Sequence, residues 1–347
     1  MDRILLYLLS LLIVLPSFAR DPLPPEEAAK IIQEFQYPNN FTFFSNDVSK
    51  PLFSRCWIYE QFVDTEYPQS MEPLRVQQHL YIPSRRQLGD KKVPLVILIP
   101  PVGGINPLDT QTAKTLCNNN IAALIVANDF ANVEYQAEIE LLPVEDHQET
   151  YYRITAAVKA AIAQVDEDPN LDSEKIGLFG VSLGGILSSF VMAAQERIAA
   201  GYFVVAGGDV PDILAHSAQD KIAKIRRRRM QAEGFSTADE YEMYLRQHLQ
   251  IDPIDISTTM LPETLRMVIA GKDKNVPTSN QWALHVAFGE PDIDFVDKNH
   301  LQTILNTLFS SSKRDKVMRF FKKRFEFDNP RPAAFDFLSQ FDLNYYM

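Results

Sequence analysis

Gly180-Val181-Ser182-Leu183-Gly184 limits what this chain can fold into more than any other stretch. A serine with glycine two residues before and two after it, following the apolar run Ile176-Gly177-Leu178-Phe179, reads as a sharp strand-to-helix turn. The turn is so tight that the flanking positions have no room for a β-carbon, and the serine backbone is strained. That strain lifts the hydroxyl clear of a sheet, where an acyl carbon can reach it. Ile186 to Ala194 is apolar almost throughout and reads as a buried helix. Such a helix aims its free N–H groups at negative charge developing beside the serine.

The glycines support the same architecture. The chain has only 13. Eight fall at four places, each just past an expected strand: Gly103 and Gly104; Gly180, Gly184 and Gly185; Gly207 and Gly208; and Gly271. In an open parallel sheet the reactive crevice forms at the carboxyl ends of the strands, where backbone must approach a ligand closely.

The rest of the chain predicts an α/β fold with a mainly parallel sheet covered by helices on both faces. Residues 40–70 are aromatic-rich and are expected to form edge structure. Leu74 to Ile82 alternates as a strand, whereas Val93 to Ile99 and Ile121 to Ala127 are continuous apolar runs of strands buried on both faces. Tyr202 to Val205, Leu265 to Ala270 and Ile293 to Val296 continue the series, with helices over Asp109 to Leu116 and Glu149 to Val165. Between Asp209 and Pro262 the alternation stops. Ile213 to Arg229 and Ala238 to Leu249 read as helices, placing a helical lid insertion (about 212–261) after the sixth strand. Arg226 to Arg229, inside it, points all round a helix and reads as a solvated face.

At the amino terminus, Ile4 to Leu15 is an apolar run preceded by Arg3 and ended by Pro16, and Ser17-Phe18-Ala19 supplies small residues at a cleavage site. The run is shorter than the roughly 20 apolar residues of a spanning helix. Residues 1–19 are therefore expected to be a signal peptide, the mature protein being exported, periplasmic or secreted, without stable membrane insertion. Cys56 and Cys117 then lie where pairing is permitted, although the helical spacing of Ala113, Leu116 and Cys117 favours a packed free thiol. The remaining organisation is expected as an extension over 20–74 packing on the core, a catalytic domain over 75–325 and a tail over 326–347. The 347 residues carry a net charge of −11, which argues against nucleic acid as a partner.

A serine nucleophile needs a base to take its proton and a buried acid to orient that base. Only six histidines are available. His300 follows Ile293–Val296 and precedes a helix beginning near Leu301, which puts it on a strand-end loop. His79, His147, His216, His248 and His285 fall within strand or helix patterns and are more easily structural. Asp273, in Gly271-Lys272-Asp273, again lies just past a buried strand. Asp209 is the rival acid, and Asp129 reads as structural.

Pro100-Pro101-Val102-Gly103-Gly104, the turn around Ser182, Gly271-Lys272-Asp273 with Val276-Pro277, and His300 together resemble the α/β-hydrolase superfamily. Within it, the stretch from about Arg75 to Phe325 is similar to esterases of the dienelactone-hydrolase and acyl-peptidase type, and Asp146 and Arg153 match that group's spacing. The resemblance implies Ser182 as nucleophile, His300 as general base and then acid, and Asp273 as the orienting acid. It implies an oxyanion hole from the Leu183 N–H plus that of Val102 or Gly103, a small ester or acyl substrate, and no metal or organic cofactor. Dienelactone hydrolases proper carry cysteine where this chain has Ser182, and Pro101-Val102-Gly103 replaces a common His-Gly-Gly. A peptidase or amidase, a thioesterase or acyltransferase, and a non-catalytic binding protein are the alternative readings.

Overall fold

The computed structural model describes residues 20–38, 40–49, 55–84, 91–101, 104–127 and 144–326. Its centre is one nine-stranded sheet in the order β1-β2-β3-β5-β4-β6-β7-β8-β9. β4 (Val93–Ile99), β5 (Ala122–Val126), β6 (Leu171–Val181), β7 (Ile198–Val204), β8 (Leu265–Ala270) and β9 (Asp292–Val296) run parallel. β3 (Leu74–Pro83) pairs antiparallel with β5. The aromatic segment read as edge structure is a pair of antiparallel strands, β1 (Phe41–Ser49) and β2 (Cys56–Thr65), extending the sheet beyond β3.

Alternate residues of the apolar strands feed two cores. Leu95, Ile97 and Ile99 of β4 pack on one face under α1 (Pro25–Glu34), α3 (Asp146–Glu167) and α4 (Leu183–Ala194). Val96 and Leu98 pack on the other under α2 (Pro107–Asn118), α9 (His300–Phe309) and α10 (Ser311–Glu326). Each large side chain so buried is worth about 1.5–3 kcal/mol. Phe35, at the end of α1, sits 4.4 Å from the Tyr152 ring and 4.8 Å from the Phe190 ring. The residues before β3 are thus built into the sheet and its core.

Four expectations are corrected. The helical insertion follows the seventh strand in the chain rather than the sixth, because the aromatic-rich segment read as edge structure is two strands, β1 and β2. Ile213 to Arg229 is two helices, α5 (Val210–His216) and α6 (Asp220–Glu233), followed by α7 (Ala238–His248). The break is held from outside: the Ser217 hydroxyl donates to Asn275 O, Ala218 N–H donates to Lys274 O, and Gln219 caps α6 through Ile222 N–H. Within the arginine run the side chains do spread round α6, but Arg229 is buried and Arg226 donates to Ser217 O, so the run is not simply a solvated face.

Fourth, Cys117 is not a free thiol. It lies on the buried face of α2 as its spacing indicates, but opposite the first residue of β2, and Cys56 and Cys117 form a disulfide with Cα atoms 6.1 Å apart. The bridge closes a loop of 61 residues, for which the loss of unfolded-chain entropy is worth about 4 kcal/mol. Cys117→Ser should therefore lower the unfolding free energy by about 2–5 kcal/mol in denaturant titrations. Dithiothreitol should destabilise the wild type and leave the Cys56→Ser/Cys117→Ser protein unchanged.

Candidate active site

Ser182 stands between β6 and α4 with φ 55° and ψ −122°, a conformation that costs a non-glycine residue about 1–3 kcal/mol. The surroundings hold it there. Its N–H donates to Val204 O on β7 at 2.9 Å, and its carbonyl accepts from Ile186 N–H at 3.0 Å. A β-carbon on Gly180 would lie 2.3 Å from Gly184 O, and one on Gly184 would lie 2.1 Å from Ile99 O. Only with glycine at both positions can the start of α4 press against the end of β4.

Two loops at the same edge bring in the partners. The loop after β8 carries Asp273, and His300 is the first residue of α9, just past β9. Gly271 N–H donates to Val296 O and Lys272 N–H to Lys298 O, so the loops are fixed to each other. His300 Nδ1 is 2.6 Å from Asp273 Oδ2 and His300 Nε2 is 3.0 Å from Ser182 Oγ. With Nδ1 donating to the carboxylate, Nε2 is the acceptor for the serine hydroxyl. The Asp273 side chain is fully buried and His300 nearly so. Asp297, close before His300, turns outward to Lys272 Nζ at 2.8 Å.

A buried carboxylate needs donors, and Asp273 has them on both oxygens. Oδ1 accepts from Asn275 N–H at 2.8 Å and Val276 N–H at 3.2 Å. Oδ2 accepts from Gln281 Nε2 at 2.8 Å as well as from His300. Gln281, on α8 (Thr278–Ala287), is buried with its amide fully used: Nε2 also donates to Val276 O, and Oε1 accepts from Ala270 N–H. Sequence reading passed over Gln281. Its position in the first turn of the helix after Asp273 is the available signal, and a lone glutamine there has no motif to mark it.

The other singled-out residues lie elsewhere. Asp209 (φ 59°) pairs with Arg246 of α7 at 2.7 Å, and its backbone N–H donates to Asp252, so its described bonds lead to the insertion and not to His300. Burial pushes the Asp209 carboxyl up, against the pull of Arg246. His79, His216, His248 and His285 bind Gln77, Glu242, Tyr244 O and Pro291 O respectively. Arg153 pairs with Glu149 one turn away. Leu183 is the first residue of α4, beside Ser182. Val102, Gly103 and Asp129 lie outside the described residues, as does the Asp146 side chain. Among the described residues one group has a metal-ligating donor set, Asp212, His216 and Glu242. It belongs to α5 and α7, and Arg246 already binds Glu242.

Residues 79–232 match the model of the dienelactone hydrolase family. No curated protein matches the chain in sequence. Among solved structures, an acetyl xylan esterase from Paenibacillus sp. R4 superposes with a TM-score of 0.63 at 14% identity, over 88% of this chain and 96% of its own. Acetyl xylan esterase 1 from Thermoanaerobacterium sp. JW/SL YS485 gives 0.61 at 14% identity, with the same coverage. A glucuronoyl esterase from Solibacter usitatus gives 0.54 at 13%, over 86% and 92%. The architecture is the α/β-hydrolase fold.

Because Gln281 fixes the carboxylate that fixes the imidazole, Gln281→Leu should slow fluorophosphonate labelling of Ser182 roughly tenfold, less than loss of Asp273 itself. It should also cost about 1–3 kcal/mol in stability, since Ala270 N–H loses its acceptor. Labelling rates with the two proteins at a temperature where both are folded separate the effects.

Proposed function

We propose that this chain, whose residues 79–232 match the dienelactone hydrolase family, is a carboxylic ester hydrolase, an exported serine esterase working through Ser182, His300 and Asp273. The observation that carries the reading is the continuous relay of 3.0 Å and 2.6 Å from the Ser182 hydroxyl through His300 to Asp273. In the first half-reaction His300 Nε2 takes the Ser182 proton as Oγ attacks the ester carbonyl. The tetrahedral oxyanion is held by the Leu183 N–H, at the positive end of α4, and by a second amide from Val102 or Gly103. Collapse expels the alcohol, which takes the proton from His300 Nε2 and leaves the acyl group on Ser182. Water then repeats the sequence, and the acid departs. Asp273, which accepts from four N–H donors, keeps Nδ1–H in place and stabilises the imidazolium formed in each half.

In this reading α5, α6 and α7 form the lid. They lie after β7, at the strand ends that carry Ser182, and α5 packs on α4 through Ile213 and Ile186. Their own core joins Ala215, Tyr241, Leu245 and Leu249. Export is supported by the amino-terminal pattern and by the disulfide. Arg20, the first residue after the expected cut, belongs to the folded domain, where its guanidinium grips Asp255 at 2.6 Å and donates to Leu249 O and Gln250 O. Burial pushes the Asp255 carboxyl up to about 6 in spite of Arg20. Among the described residues no helix is long and apolar enough to cross a membrane.

His300→Ala and Asp273→Ala should each lower kcat by about three orders of magnitude with little change in KM, and the double variant should lose little more, since the groups act as one unit. Assays on p-nitrophenyl esters of rising chain length provide the rates. Activity largely retained in Asp273→Ala but lost in Asp209→Ala would move the acid to the loop after β7. On the same panel, Arg246→Met, which frees α7 from Asp209, should raise KM for long acyl chains more than for acetate.

A further inference from the structure

Although the chain is acidic overall, its last described helix is strongly basic. Seven of its 34 lysines and arginines lie in the 16 residues of α10. Val317, Met318, Phe321 and Phe325 face the core, so the apolar side of this helix is already used and is unavailable for insertion into a membrane. The basic side borders a cleft of about 360 Å³ lined by Arg266, Asp292, Lys316, Arg319, Phe320, Lys323 and Arg324. Five of those seven residues are cations and one is a carboxylate.

The cleft is at the opposite end of the sheet from Ser182. Arg266 is the second residue of β8 and Asp292 the first of β9, whereas Asp273 and His300 follow the far ends of these strands. The separation is the length of β8, about 20 Å.

We propose that this cleft binds a small phosphate-bearing anion at a second site, distinct from the ester-cleaving one. Its floor is organised in advance. Asp294, buried beneath, accepts from Lys316 Nζ at 2.6 Å and Arg266 Nε at 3.2 Å, and Arg266 Nη1 reaches Asp292 at 3.3 Å. Burial pushes the Asp294 carboxyl up, yet Lys316 and Arg266 hold it below its ordinary value. It is therefore a fixed anion that sets two of the cations in position.

The other three cations are surplus. Among the described residues no carboxylate pairs with Arg319, Lys323 or Arg324. Lys316, Arg319 and Lys323 follow one another at helical spacings of three and four, where like charges repel, and a concave wall brings them closer still. An external anion relieves that repulsion. The Arg319 and Arg324 guanidinium forks with the Lys323 ammonium line a compact cleft and suit a phosphorus centre, whose several oxygens accept several N–H groups at once. Phe320 is wedged edge-on against Tyr202 and Phe321 at 5.5 Å and 5.2 Å, with Arg324 over its ring. It offers a fixed apolar surface to the organic part of such a ligand.

Titration calorimetry with inorganic pyrophosphate at physiological ionic strength tests the site, using the whole protein. Saturable one-to-one binding is expected. Arg319→Glu with Lys323→Glu should weaken it at least tenfold, and Lys322→Glu, on the side of α10 that reaches Asn119, should leave it within twofold. Hydrolysis of p-nitrophenyl acetate should be unchanged in all three proteins, showing that they are folded and that the result is independent of the esterase reading. The proposal is overturned if the wild type shows no saturable binding, or if the charge reversals leave it intact. It is likewise overturned if citrate binds and pyrophosphate does not, or if only vesicles of anionic phospholipid are bound.

Discussion

Everything at the candidate site depends on how closely α4 approaches the end of β4. Gly184 lies so near Ile99 O that any side chain there would push the helix away, and Gly180 permits the same approach from the preceding strand. The contact forces Ser182 into positive φ, and the hydrogen bond from its N–H to Val204 O locks that conformation to the neighbouring strand. Strain of about 1–3 kcal/mol at one residue is small beside the burial of α4, whose residues from Gly184 to Ala194 are all inside. The helix therefore stays where the turn sets it, with its N-terminus beside the serine oxygen.

Buried charge organises the rest of that edge. Asp209, Asp252 and Asp255 are all buried, and the cations that reach Asp209 and Asp255 come from distant parts of the chain, Arg246 from α7 and Arg20 from the start of the described residues. Asp252 is bound mainly by backbone, accepting from Asp209, Val210 and Ile254 N–H. Removing one partner from such a pair costs more than the pair contributes. The insertion is thereby fixed to Asp209, a few residues beyond the strand that holds Ser182 N–H, and the amino-terminal arm to Asp255, beside the Asp252 that binds Asp209 and Val210 N–H.

The parts of this arrangement that were legible in the sequence are those set by local rules. Ser182, Asp273 and His300 each follow an apolar run by a few residues, and a parallel sheet collects such positions at one edge. The strands β4 and β5 announce themselves as unbroken apolar runs, and β8 as one interrupted only by Arg266. The unread parts depend on contacts between distant residues. Cys56 and Cys117 meet because β2, second from the edge of the sheet, lies under α2, which no spacing expresses. The helix break at Ser217 is imposed by Asn275 and Lys274 from another loop, in a sequence that by itself continues as helix. Gln281 is apparent only once Asp273 is seen to be buried and in need of a fourth donor.

The central claim is that Ser182 is an acylated nucleophile activated by His300. Mixing the protein with p-nitrophenyl acetate at acidic pH, quenching within the first turnover and mapping the digest by mass spectrometry tests it directly. The account predicts a burst of p-nitrophenol and one acetyl group on the peptide containing Ser182, both absent from Ser182→Ala. A burst that persists in that variant, or an acetyl group on any other residue, would contradict it.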